Sequence, residues 1–255
     1  MVKGNKPAVA LLFVTGTFLL GLAWLMPSFP LFAFFGLAPF MAMVSGKPKK
    51  GRVGGVVELT LLGLSISLFC ATFFDVDRLA VVIIQAMVFG LPFLGIVFLR
   101  SLGQQAGIFT IVLFWLALEF IGLKAAPGDT IFLADLLHLK PVWVRWNLAT
   151  GYLGASLWIL LCNAFLCKAW MTGDKFNWLF LILFVLTVTT PMAYSYTLDE
   201  NALDKAQMVR FYRHNDIQGL PEAYIRNAEW IARTATWVSV FMVLYSFVRK
   251  KTTAR

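Results

Sequence analysis

A cysteine nucleophile needs its thiolate beside a general base. The chain offers three cysteines, Cys70, Cys162 and Cys167, and two histidines, His138 and His214, from which to build such a pair. All three cysteines lie inside apolar runs. Cys70 sits in Leu-Phe-Cys-Ala-Thr-Phe-Phe, a setting in which cysteine ordinarily serves as a small packing residue. On the span orientation derived below, Cys70 is the only cysteine near the outer face, so it is the one catalytic candidate, with His138 or His214 as its base, weighed against plain packing. An odd number of cysteines without clustered spacing gives neither a disulfide framework nor a metal site. No cofactor is expected.

Ionisable and polar residues inside apolar runs are costly and are functional suspects by default. Glu119 has the strongest claim, beside Trp115 near the end of its run. The competing reading is a carboxylate paired with a neighbour such as Arg145, or capped by water at the interface. Glu58 opens a run close to Arg52 and reads as a helix-start carboxylate favoured by the macrodipole. Trp143, Arg145, Trp146 and Trp158 fit an interfacial aromatic belt. They also fit a phospholipid headgroup clamp with Arg145 as phosphate partner. Asn163, alone in an apolar stretch, is expected to hydrogen-bond across helices, while Gly151, Gly154 and Ser156 permit close helix approach. Arg210, Arg213 and Arg226 either meet anionic lipid or a partner, or form a solvated face.

The elements that must position these residues are membrane spans. Hydrophobic residues make up 60% of the 255 and charged residues 14%, against about 25% charged in a soluble domain. A bilayer can absorb that much apolar surface, because a helix of about 20 residues satisfies its own backbone across it. The apolar runs predict an all-α bundle of eight spans at 8–26, 29–44, 56–74, 79–99, 106–121, 148–167, 178–193 and 231–248. Pro27 and Pro30 mark the tight turn between the first two. The first run shows no cleavage site and reads as a retained span. The second and fifth look short for a full crossing.

With the N-terminus inside, the inner segments are 1–7, 45–55, 100–105, 168–177 and 249–255. They hold thirteen of the 22 Lys and Arg and a single acid, Asp174. The positive-inside rule thus places both termini in the cytoplasm. The net charge of +9 lies in the gaps between runs and reflects orientation, which argues against a nucleic-acid partner. Of the outer segments, 122–147 and 194–230 are the longest. The second holds an amphipathic stretch, Leu198–His214, suited to lying at the interface.

Several stretches resemble the apolipoprotein N-acyltransferases. Gly16-x4-Gly21-Leu22-Ala23-Trp24, Pro27 and Phe35-Gly36-Leu37-Ala38-Pro39-Phe40 resemble that family's first two spans, and Phe114-Trp115-Leu116-Ala117-Leu118-Glu119 its fifth. The block from Pro141-Val142-Trp143-Val144-Arg145-Trp146 through Thr150-Gly151, Gly154 and Ser156-Leu157-Trp158 to Asn163 resembles the entry to its sixth. Glu229-Trp230-Ile231-Ala232-Arg233 is similar to the approach to its last helix. The likeness covers about 1–193 and 222–251. Pro127-Gly128-Asp129 stands where the family has a Pro-Trp pair.

The resemblance implies a bacterial inner-membrane protein. Members move an acyl chain from phospholipid to the N-terminal cysteine of a lipoprotein, through a Glu–Lys–Cys triad in a nitrilase-like domain between the last two spans. Here that place is taken by 194–230, which has no cysteine, so no residue inherits the triad. The expected organisation is a seven-span bundle over 1–193, a short outer segment over 194–230, and a final span with a basic tail over 231–255. The expected function is a non-catalytic relative that binds phospholipid or lipoprotein, or serves as a membrane subunit of an envelope complex. The alternative is an acyltransferase using Cys70 or a partner subunit. Glu119, Trp143, Arg145 and Trp146 are expected to line a groove toward the outer leaflet. The Leu198–His214 segment, with Arg210 and Arg213 in the headgroup layer, is its expected lid.

Overall fold

The computed structural model describes residues 9–26, 28–45, 53–72, 75–102, 106–125, 131–137, 139–171, 176–198 and 229–253. His138, Arg210, Arg213, His214, Arg226 and the expected lid beyond Leu198 lie outside the described residues. Every described element is helical, with no strand among the described residues. Among the described residues, five helices are long and apolar enough to cross a membrane: Val76–Ser101, Ile108–Ala125, Leu153–Trp170, Trp178–Thr197 and Trp230–Arg249. The chain is a multi-pass membrane protein. Three shorter apolar helices, Val9–Leu25, Pro30–Ser45 and Gly55–Ala71, complete the set.

The second apolar run is the most broken. A 3-10 turn at Pro30–Phe32 leads into α2 (Ala33–Gly36) and α3 (Ala38–Ser45), which follow α1 (Val9–Leu25). Pro39 has no N–H to donate back to Phe35, so the helical ladder breaks at Leu37 and restarts as α3. A methyl group at Gly36 would stand 2.9 Å from the backbone nitrogen of Leu20. Only glycine lets α2 press so closely on α1.

The bundle then runs through α4 (Val53–Ala71), α5 (Leu79–Ser101) and α6 (Ile108–Ala125). The fifth apolar run is 18 residues long as α6 rather than the short piece expected, because the helix continues past Ile121 to Ala125. The sixth differs too. Gly151 takes φ 76°, a left-handed conformation that suits glycine, and splits the expected 148–167 helix. A single turn, α7 (Asn147–Thr150), precedes α8 (Leu153–Leu166), which runs on as a π-helix over Cys167–Met171. Two more helices, α9 (Trp178–Thr197) and α10 (Trp230–Thr253), close the chain.

In packing order, α1 lies on α4, α4 on α5, α5 on α6, and α6 on both α8 and α10, while α9 lies on α8. The large buried side chains Phe34, Phe40, Phe93 and Trp115 fill the interior. At the rim, α9 exposes Ile182, Val185 and Leu186, and α10 exposes Trp237, Phe241 and Leu244, as lipid-facing helices do.

Among the described residues, Pro92 of α5 and Pro191 of α9 sit in helix interiors, beyond the first turn. Each deprives the carbonyl four residues earlier, on Val88 and Thr187, of its usual donor. For Thr187 the indole Nε1 of Trp158 donates instead. This substitution lets α9 run through Pro191 to Thr197, beyond the expected end at 193.

Candidate lipid-facing site

Asn163 is fully buried, with 0% exposure, and uses its whole amide. Its Oδ1 accepts from the backbone N–H groups of Leu37 and Ala38, both at 2.8 Å. Its Nδ2 donates to the carbonyls of Ala33 and Ile159, also at 2.8 Å. The side chain thus caps α3 where Pro39 forces the chain to restart, and ties it to α8.

Glu119 is 4% exposed. Its Oε1 accepts from Trp115 Nε1 at 3.1 Å and from the Leu133 N–H at 2.8 Å. Leu133 opens a buried 3-10 helix, Leu133–Leu137, whose Ala134 N–H donates to Ser156 Oγ at 3.0 Å. The Ser156 hydroxyl also neighbours the Glu119 carboxyl. Asp135 closes the turn by accepting from the Phe132 N–H at 2.8 Å, and Tyr152 donates its hydroxyl to the same carboxylate. Glu119 and Ser156 therefore hold an apolar plug, Phe132–Leu137, against α6 and α8. An acid at the start of a helical turn is electrostatically favoured. Arg145 forms no ion pair with Glu119 among the described residues.

Arg145 is 8% exposed and works at the end of α9 instead. Its backbone N–H donates to Ser195 Oγ at 2.8 Å, and Nη1 donates to the Leu198 carbonyl at 2.7 Å. A cation on the last carbonyls of a helix satisfies orphan acceptors and complements the dipole. Trp146 donates from Nε1 to the Trp143 carbonyl at 3.0 Å, which fixes the Pro141–Val144 turn.

Beside that turn lies an apolar groove of about 410 Å³, in the size range of ligand sites. Its floor is Trp146, Gly154, Leu157, Trp158 and Leu161; Thr187, Thr190, Pro191 and Tyr194 of α9 form one wall, and Ile231 of α10 the other. Trp146 and Trp158 meet edge to face at 5.6 Å. Thr150 lines the same groove, while its Oγ1 is buried against Gly154 without a hydrogen-bond partner. A second apolar groove of about 450 Å³ lies between α5, α6 and α10, with Ser239 and Thr236 on its wall.

The four residues expected to share one groove are divided. Trp146 lines the α8–α9–α10 groove, and Glu119 lines a separate small cavity between α5 and α6. Trp143 packs half-buried against the core, and Arg145 is spent on α9. Cys70 is 8% exposed, donates its thiol to the Ile66 carbonyl at 3.5 Å and lies against Gly21 of α1. Neither histidine considered as its base is among the described residues. No cluster of metal-ligating residues occurs among the described residues.

Sequence reasoning missed Thr150, Thr187 and Pro191 as site residues. The signal was available, because a proline inside an apolar run announces a carbonyl in search of a donor. It also missed Arg100, whose guanidinium donates to the carbonyls of Val44, at 2.8 Å, and Ala106. No family model matches the chain, and no curated protein or solved structure is significantly similar to it.

Proposed function

We propose that this chain is a non-catalytic relative of the apolipoprotein N-acyltransferase bundle, holding a phospholipid or a lipidated protein sideways in the bacterial inner membrane. The observation that carries the reading is the lateral groove between α8, α9 and α10. Its walls are apolar, as an acyl chain requires. Trp146 and Tyr194 line it near the C-terminal end of α9, and such amphipathic rings suit a membrane interface.

Native mass spectrometry of the protein in mild detergent tests this. One retained phospholipid per chain is expected. Thr190→Trp, at an exposed groove position, should fill the space and lower occupancy about tenfold, the size of effect that losing ~1.4 kcal/mol of binding produces. Equal retention by the variant, or none by the wild type, would discard the groove as a lipid site.

The proposal includes eight spans with both termini cytoplasmic. Helix ends that this alternation assigns to one face do meet: Arg100 bonds Val44 and Ala106, and Phe98 packs on Phe247. At the opposite face Lys124 pairs with Glu229, which also pairs with Arg233 at 3.5 Å. Reporter fusions after Gly46 and after Asn215 are expected on the cytoplasmic and exported sides respectively. The reverse pair of results would invert the topology.

A further inference from the structure

Arg145 is a buried cation without a counter-ion. It is 8% exposed, and no carboxylate lies within ion-pair distance of it among the described residues. Buried charges are normally paired, because taking one out of water is costly. The Leu198 carbonyl takes Nη1, and the end of α9 answers roughly half of the charge. Nε is sealed inside the protein, while Nη2 is neither hydrogen-bonded nor sealed. One donor and part of a positive charge are left over.

The place of Arg145 in the fold says what can meet them. Helix α9 has 20 residues, about the length that crosses the hydrocarbon, and Leu198 is the first residue past its end. Arg145 therefore stands at headgroup level. It also stands at the rim of the groove between α8, α9 and α10. Trp146 and Tyr194 line that groove, and their chain neighbours Arg145 and Ser195 are joined by the 2.8 Å bond from the Arg145 N–H. An acyl chain lying in the groove brings its headgroup phosphate to this rim. Guanidinium N–H groups form charge-assisted hydrogen bonds with phosphate oxygens.

We propose, resting on the reading of the groove as a lipid site, that Arg145 selects which lipid it holds. Nη2 donates to the headgroup phosphate of a phospholipid of net negative charge. A zwitterionic lipid is disfavoured, because its own ammonium competes for that phosphate. The bound lipid is then the counter-ion that the bundle itself lacks, and the Leu198 carbonyl keeps the guanidinium aimed at the rim.

Native mass spectrometry of the full chain, incubated with equal amounts of phosphatidylglycerol and phosphatidylcholine of matched chains, separates selection from binding. The wild type should retain the anionic lipid about tenfold over the zwitterionic one, the scale of one charge-assisted hydrogen bond. Arg145→Gln leaves an amide donor for the Leu198 carbonyl but removes the charge. It should keep its phosphatidylcholine and show a preference below about twofold. Arg145→Lys keeps the charge and should restore most of the preference. Exchanging chloride for inorganic phosphate at constant ionic strength should change nothing; a preference lost to it would mark a site for free phosphate and overturn the headgroup reading. Equal retention of the two lipids by the wild type would overturn selection with no variant needed and leave the groove as a lipid site. An undiminished preference in a folded Arg145→Gln protein would do the same. A wild type that retains neither lipid would remove the groove, and the selection with it.

Discussion

Asn163→Leu is expected to destabilise the protein by about 3–5 kcal/mol, since each buried polar group left unpaired costs about 1–3 kcal/mol. The variant strips the side-chain acceptor from the Leu37 and Ala38 N–H groups and the donor from the Ala33 carbonyl. Leucine fits the volume and the apolar surroundings, so the effect isolates hydrogen bonding from packing. Asn163→Asp separates the two halves of the amide. It keeps the acceptor toward α3 but turns an oxygen toward the carbonyls of Ala33 and Ile159, and should fare no better. Equilibrium unfolding in bicelles gives the number. A loss under about 1 kcal/mol would mean that packing alone holds the restart of α3, and that the amide contributes no more than a typical membrane hydrogen bond.

Glu119→Leu should cost about 2–4 kcal/mol, because it leaves the Leu133 N–H and the Trp115 indole without an acceptor inside the bundle. Glu119→Gln retains a carbonyl oxygen for both donors and should stay within about 1 kcal/mol of the wild type. Hydrogen exchange over Leu133–Leu137 localises the damage, with fast exchange in the leucine variant and protection in the glutamine variant. If glutamine proves as harmful as leucine, the negative charge itself holds the plug, and the acceptor geometry is secondary.

The apolar runs carried the fold because each span is a local property: composition over some twenty residues decides whether a helix can live in a bilayer. Breaks were half legible. Pro27 and Pro30 marked a turn, yet Gly151 looked like a helix-packing glycine until its positive φ showed a break. The site was less legible, because its partners are remote along the chain. Asn163 stands out as a lone amide among apolar residues, but nothing near it in sequence names Leu37 or Ala33. Glu119 and Arg145 made an attractive pair by charge, yet each satisfies backbone groups that become orphans only once the helices are broken. Sequence reading pairs charges with charges; this bundle pairs side chains with interrupted backbone.

The bond from the Trp158 indole to the Thr187 carbonyl bears on how the protein is made. A chain synthesised from its N-terminus delivers α8 to the bilayer before α9. When Pro191 exposes a carbonyl in hydrocarbon, its donor is already in place, and the last-but-one helix can enter without a lone polar group. The opposite holds at the other end. The α2–α3 restart emerges 125 residues ahead of the Asn163 that caps it. The ribosome must therefore finish α8 before the first half of the bundle can settle. Nascent chains stalled before that helix hold the Leu37 and Ala38 amides without the acceptor that caps them.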